Sequence, residues 1–184
     1  MNLREIERIY EAHLVYDFPE AEQKPLPVVR RLKREGRYRG FGCYEGGTLL
    51  GYTFLIHEKG SETCLVDYFA VCRGGRGKGT GSLFLQELCK TLAPKRLVFE
   101  VEDPETAADE REKKIRERRM AFYHSNQVRD TNLFTRQFGV DLRILFWSKQ
   151  QETEAGIYEE LDRIYRFVFG ERYQKGTVSL EKRE

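Results

Sequence analysis

Apolar residues recur at helical spacing through Leu3, Ile6, Ile9, Tyr10, His13 and Leu14, predicting an amphipathic helix at the start of the chain. Asp17-Phe18-Pro19 ends it, because proline disfavours a helical residue before it. Pro25 and Pro27 introduce a second helix, with Val28, Val29 and Leu32 on one side and its end at Gly36. Strand patterns follow. Phe41 to Tyr44 and Thr48 to Ile56 flank Glu45-Gly46-Gly47 and predict a hairpin, since glycine tolerates positive φ. Cys64 to Val71, after a turn at Lys59-Gly60-Ser61, adds a third strand to this antiparallel meander.

Beyond a glycine-dense stretch, a helix is expected from near Ser82, with Leu85, Leu88 and Leu92 as its core stripe and a stop before Pro94. Arg96 to Glu102 is the next strand, with Leu97, Phe99 and Val101 on one face and Val98, Glu100 and Glu102 on the other. Strand, helix and strand in that order make a parallel crossover. From Glu105 to Tyr123 charges alternate in sign, as on an exposed helix, and Arg116, Arg118 and Arg119 read as a solvated basic face. Asn132 to Phe138 and Leu142 to Ser148 predict a last hairpin, turning through Gly139-Val140-Asp141. Ile157, Leu161, Ile164, Tyr165 and Val168 form a helical stripe stopped at Gly170. Lys175 to Glu184 is a short strand or a loose tail.

Composition narrows the class. A chain of 184 residues suits one domain with a small appendage, here residues 1–150 and then 151–184. The final helix carries more apolar surface than one face requires, so it covers the sheet or meets a partner subunit, as in a homodimer. A formal net charge of +2, with cations and anions interleaved, argues against a general nucleic-acid binder. No apolar run reaches the length of a membrane span, and the charged Met1 to Tyr10 is no signal peptide. Cys43, Cys64, Cys72 and Cys89 show no C-x-x-C spacing and read as reduced thiols of a cytoplasmic protein. His13, His57 and His124 also lack ligand spacing, so no metal is expected; His13 reads as a half-buried face residue.

The candidate chemistry lies in Asp67 to Leu85, DYFAVCRGGRGKGTGSLFL. A buried strand, a doubly basic glycine loop and a helix start together build an anion site. Walker A spacing fails at both ends, because Lys78 is followed by Gly79 and position 72 is Cys72. The Rossmann spacing fails as well: counted from Gly75, Gly77 or Gly79, the last glycine would have to be Thr80, Ser82 or Phe84. What the stretch does contain is R-x-x-G-x-G, as Arg76-Gly77-Lys78-Gly79-Thr80-Gly81.

That hexapeptide, between its strand and its helix, resembles the acetyl-CoA loop of the GNAT superfamily of N-acetyltransferases. The order of elements through about Ser148 is similar to the same fold. The resemblance implies an α/β (α+β) class, with a mixed, mostly antiparallel sheet, one parallel β-α-β crossover and flanking helices. The usual first strand before the opening helix is not evident. By the resemblance, acetyl-CoA or coenzyme A is the co-substrate. The backbone of Phe69, Ala70 and Val71 would hold pantetheine. The amides of Arg76, Gly77, Lys78, Gly79, Thr80, Gly81 and Ser82 would hold the pyrophosphate, with Arg76 and Lys78 adding attraction.

Many members carry an acid on the strand after the crossover helix and a tyrosine in A-x-x-F-Y or A-L-Y at the next helix. Met120-Ala121-Phe122-Tyr123 looks like that pattern, which makes Tyr123 the candidate acid for the leaving thiolate. Glu100 in Phe99-Glu100-Val101 looks like the strand carboxylate, and Glu102 is the second candidate base. Asp67 and Tyr68 could contact substrate, or Asp67 could serve as the carboxylate instead. Where Gly-Phe commonly follows the tyrosine, this chain has Asn126-Gln127-Val128. Cys64 and Cys72 show no partner histidine in the sequence, so the expectation is direct attack by a primary amine, from a small molecule or a peptide, in a ternary complex. The other expectation is a non-catalytic acyl-CoA-binding or regulatory module on the same fold.

Overall fold

A computed structural model describes residues 1–92, 96–150 and 153–183, the side chain of Ala21 excepted. Seven strands form one mixed sheet in the order β1-β2-β3-β4-β6-β5-β7, with helices flanking it. These are β1 (Tyr38–Glu45), β2 (Thr48–His57), β3 (Thr63–Val71), β4 (Arg96–Glu102), β5 (Arg129–Gln137), β6 (Val140–Trp147) and β7 (Val178–Lys182). Among the described residues only β3 and β4 run parallel, as the crossover requires. The chain divides into two compact units, Met1–Lys59 with Val66–Leu88, and Gly60–Leu65 with Cys89–Glu184.

In the first unit, the Asn2 side chain accepts from the Glu5 amide and the Glu5 carboxylate accepts from Asn2, a capping box that starts helix α1 (Leu3–Ile9). The helix then widens into a π-helical turn, Tyr10–Leu14, before α2 (Val15–Asp17). Such a turn inserts one residue and rotates whatever follows it, which helical periodicity alone does not foresee. Helix α3 (Leu26–Arg34) follows Pro25 and buries Val29 and Leu32. The β1–β2 hairpin turns on Gly46 and Gly47, both at positive φ (54° and 82°), the conformation a two-residue primed turn demands. The Thr53 hydroxyl donates to the Tyr68 carbonyl at 2.8 Å, tying β2 to β3.

In the second unit, β4 pairs with β6 and β5 with both β6 and β7, all antiparallel. Helix α4 (Thr80–Leu92) is described as far as Leu92, so its expected stop at Pro94 lies outside the described residues. Helix α5 (Glu110–Ser125) begins five residues later than its charge pattern suggested. Pro104–Thr106 forms a 3-10 turn capped by Asp103, and Asp109 caps α5 by accepting from the Glu112 amide at 2.7 Å. Arg116 is not on a solvated face. It is buried, donating to the Asp103 carbonyl at 2.8 Å and the Thr106 hydroxyl at 3.1 Å, and pairing with Glu112 at 2.6 Å. Ile115 is exposed instead. Partners 4, 10 and 13 residues back in the chain thus bury a residue expected on the solvated face.

The β5–β6 turn is Phe138-Gly139, at φ 51° and 90°. Val140 and Asp141, expected in the turn, are already paired with Gln137 and Arg136. Helix α6 (Glu154–Phe169), capped by Thr153, buries Ile157, Leu161, Ile164 and Tyr165 within this unit. After α7 (Glu171–Gln174) the tail is a strand, β7, paired with β5. The expected division between residues 150 and 151 falls at 151–152, outside the described residues.

Candidate functional site

The glycine loop belongs to the first unit, and it is built by local demands. The last rung of β3 is the Cys72 amide donating to the Leu50 carbonyl at 2.9 Å, after which Arg73–Gly75 makes a 3-10 turn. A Cβ on Gly75 would lie 2.9 Å from the Leu50 carbonyl oxygen, so only glycine lets the loop pack this closely. Gly77 and Gly79 both have φ of 76°, and a Cβ at either would meet nothing within 4 Å. These two are glycines because of backbone conformation, and the space beside them is open. Helix α4 starts at Thr80, two residues before the expected Ser82, and the Leu83 amide is bonded to the Gly79 carbonyl at 3.1 Å. Thr80, Gly81 and Ser82 therefore occupy the first turn, whose amides have no intrahelical carbonyl to reach. Positive-φ glycines, open space and a helix N-terminus fit a pyrophosphate.

The side chains of the loop are less simply disposed. Lys78 is exposed. Arg76 folds back: its Nε donates to the Val71 carbonyl at 3.0 Å and its Nη2 lies 3.3 Å from Asp17 Oδ1. Asp17 Oδ2 in turn accepts from the Tyr52 hydroxyl at 3.1 Å. Burial first, then the Asp17 charge, push the Tyr52 phenol well above its ordinary value, so it stays a donor. Phe69 stacks on Phe84 of α4 with ring centres 5.3 Å apart, and Ala70 is buried. His13, carried on the π-helical turn, places Nδ1 3.9 Å from Cys72 Sγ. Burial, and after it the Asp17 carboxylate, raise the Cys72 thiol, the opposite of what a nucleophilic cysteine needs.

Asp67, the other candidate carboxylate, is held by two donors. Its carboxylate takes Lys24 Nζ at 2.6 Å and the Tyr38 hydroxyl at 2.7 Å, with 4% of its side chain exposed. Tyr68 accepts from the Lys24 amide at 2.6 Å and donates to the Glu22 carbonyl at 2.8 Å. Both residues tie the segment around Lys24 to β3.

Glu100, Glu102 and Tyr123 belong to the second unit. Tyr123, near the end of α5, is buried with its ring 4.9 Å from that of Phe99. Burial raises its phenol to about 12, partly offset by Arg119. Glu100, the next residue after Phe99, points to the other face of the strand. There its Oε1 accepts from the Tyr165 hydroxyl of α6 and from Gln137 Nε2 at 2.6 Å. Glu102 pairs with Arg119, and with Arg116 at 3.5 Å. Asp17 and Tyr52 are the residues that sequence reasoning missed. Asp17 was legible only as part of a helix stop, and nothing in its neighbourhood along the chain pointed to Arg76.

Among the described residues no three of His, Cys, Asp and Glu gather as a metal site. No described helix is long and apolar enough to cross a membrane. A sequence profile of the Acetyltransferase (GNAT) family matches residues 5–114. The Bacillus subtilis (strain 168) protein YjbC, classed as an acetyltransferase, is 30% identical over 138 residues, which are 69% of this chain and 70% of YjbC. Among solved structures, a protein of Bacteroides thetaiotaomicron classed in the GNAT family superposes with a TM-score of 0.71 at 19% identity, covering 92% of this chain and 96% of that one. An aminoglycoside 6'-N-acetyltransferase solved with coenzyme A superposes at 0.56 and 10% identity, over 83% and 93%.

Proposed function

Because the chain belongs to the GNAT family of acetyltransferases, we propose that it moves an acetyl group from acetyl-CoA to a primary amine by direct attack in a ternary complex. The observation that carries this reading is the β3–glycine loop–α4 junction, whose two positive-φ glycines with open space beside them, followed by a helix N-terminus, suit a pyrophosphate. The raised Cys72 thiol supports direct attack over a covalent cysteine intermediate. Four cysteines without C-x-x-C spacing would suit a cytoplasmic location.

Bound acetyl-CoA would supply the activated thioester. The amides of residues 76–82 would bind its pyrophosphate and the backbone of Phe69, Ala70 and Val71 its pantetheine. Tyr123, which burial keeps protonated, would hold the proton that the departing thiolate needs. Glu100 or Glu102 would take the proton from the acceptor ammonium, directly or through water.

The engagement of both carboxylates, Glu100 by Tyr165 and Gln137 and Glu102 by two arginines, favours a second reading. In that reading the chain binds acyl-CoA without transferring the acyl group. Calorimetric titration with acetyl-CoA, coenzyme A and ATP tests the shared part. Both CoA species should bind at low-micromolar Kd, ATP should not match them, and Gly79→Trp should abolish binding. No CoA binding at all would overturn the acetyltransferase reading. A thiol-release screen over primary amines then separates enzyme from binder, with Glu100→Gln and Glu102→Gln assigning the base by which one abolishes release.

A further inference from the structure

We propose that Asp17 is a positioning residue that holds Arg76 as a latch on the cofactor groove, so that acetyl-CoA binding requires the Arg76–Asp17 contact to break. The proposal rests on the reading of the glycine loop as an acetyl-CoA site. Arg76 has one guanidinium and two claims on it. In the pyrophosphate reading it contributes charge to the ligand. In the structure that charge is spent on Asp17, 3.3 Å away, while Nε takes the Val71 carbonyl at 3.0 Å, on the strand where the pantetheine arm would lie. The π-helical turn Tyr10–Leu14 and the short α2 deliver Asp17 to this place, and its side chain is only 15% exposed.

Release is easy on both sides. The Arg76 side chain is 59% exposed, and an exposed ion pair is weak. Asp17 keeps the Tyr52 hydroxyl at 3.1 Å when the guanidinium leaves, so the carboxylate is never orphaned. The latch lowers the apparent affinity for acetyl-CoA by the fraction of molecules in which Arg76 is released.

Titration calorimetry with acetyl-CoA at fixed ionic strength tests this in five proteins: the unaltered chain, Asp17→Asn, Asp17→Glu, Arg76→Ala, and Arg76→Ala with Asp17→Asn. Asparagine still accepts from Tyr52 but no longer pairs with a guanidinium, so Asp17→Asn should tighten Kd by about 2- to 5-fold, the worth of an exposed ion pair. Asp17→Glu restores the charge and should return Kd towards the original value. On the Arg76→Ala background, Asp17→Asn should change nothing. Unchanged or weaker binding by Asp17→Asn alone would overturn the latch. So would an equal gain on the Arg76→Ala background, since the carboxylate would then merely repel an anionic ligand. If the unaltered chain binds no acetyl-CoA, it is the underlying reading that fails.

Discussion

At the scale of single residues, Tyr123 has the environment of a proton donor. Its ring lies on Phe99 in a buried setting, and desolvation raises the phenol to about 12. The proton therefore stays on the oxygen throughout the neutral range. If Tyr123 serves the leaving thiolate, Tyr123→Phe should lower kcat for thiol release by about a hundredfold while leaving the Kd for acetyl-CoA unchanged. Equal kcat in the two proteins would remove Tyr123 from the chemistry. The same environment has a stability consequence. Because the folded-state value lies above the ordinary 10.0, the stabilisation linked to the neutral phenol is complete below pH 10 and is lost as pH rises through about 12. Urea titrations at pH 9 and pH 11.5 should therefore show a smaller fall in stability for Tyr123→Phe than for the unaltered chain.

At the scale of elements, the end of α5 is closed by a Schellman motif. The Gln127 amide reaches the His124 carbonyl at 3.0 Å, and Val128 reaches Tyr123 at 3.1 Å. Gln127 holds φ of 64°, a conformation that favours glycine, and its side chain is exposed. Gln127→Gly should therefore stabilise the protein by about 1 kcal/mol, raising Tm by about 2–4 °C, without disturbing Tyr123 one turn back. A lower Tm would mean that the Gln127 side chain does more than the backbone requires. This contrast also marks how far the sequence could be read. The glycine loop and the Gly46-Gly47 hairpin were legible because their signals, positive-φ glycines at fixed spacing, are local in the chain. Strand alternation likewise separated Glu100 from Phe99. What meets Glu100 was not legible, since Tyr165 and Gln137 lie 65 and 37 residues away. The latch from Asp17 to Arg76, 59 residues apart, escaped for the same reason. The burial of Arg116 escaped because the 3-10 turn that holds it, 10 to 13 residues back, leaves no mark in the charge pattern of the helix. Side-chain partners brought in by the fold leave no periodic mark.

At the scale of the molecule, the expected boundary near residue 150 leads to a sharp test, because everything after it is built into the second unit. Helix α6 buries Ile157, Leu161, Ile164 and Tyr165 completely. Burying such a side chain is worth about 1.5–3 kcal/mol, so four contribute about 6–12 kcal/mol. That matches the whole net stability of a typical domain, about 5–15 kcal/mol. Strand β7 supplies the outer partner of β5 from Leu133 to Gln137, and the Tyr165 hydroxyl donates to Glu100. A chain ending at residue 150 would expose the apolar face under α6, leave β5 as an open edge and strip a part-buried carboxylate of a donor. It should show no cooperative thermal transition by circular dichroism and no acetyl-CoA binding by calorimetry. A truncated chain that melts cooperatively and still binds acetyl-CoA would make residues 1–150 a self-sufficient domain, with α6, α7 and β7 a dispensable cover.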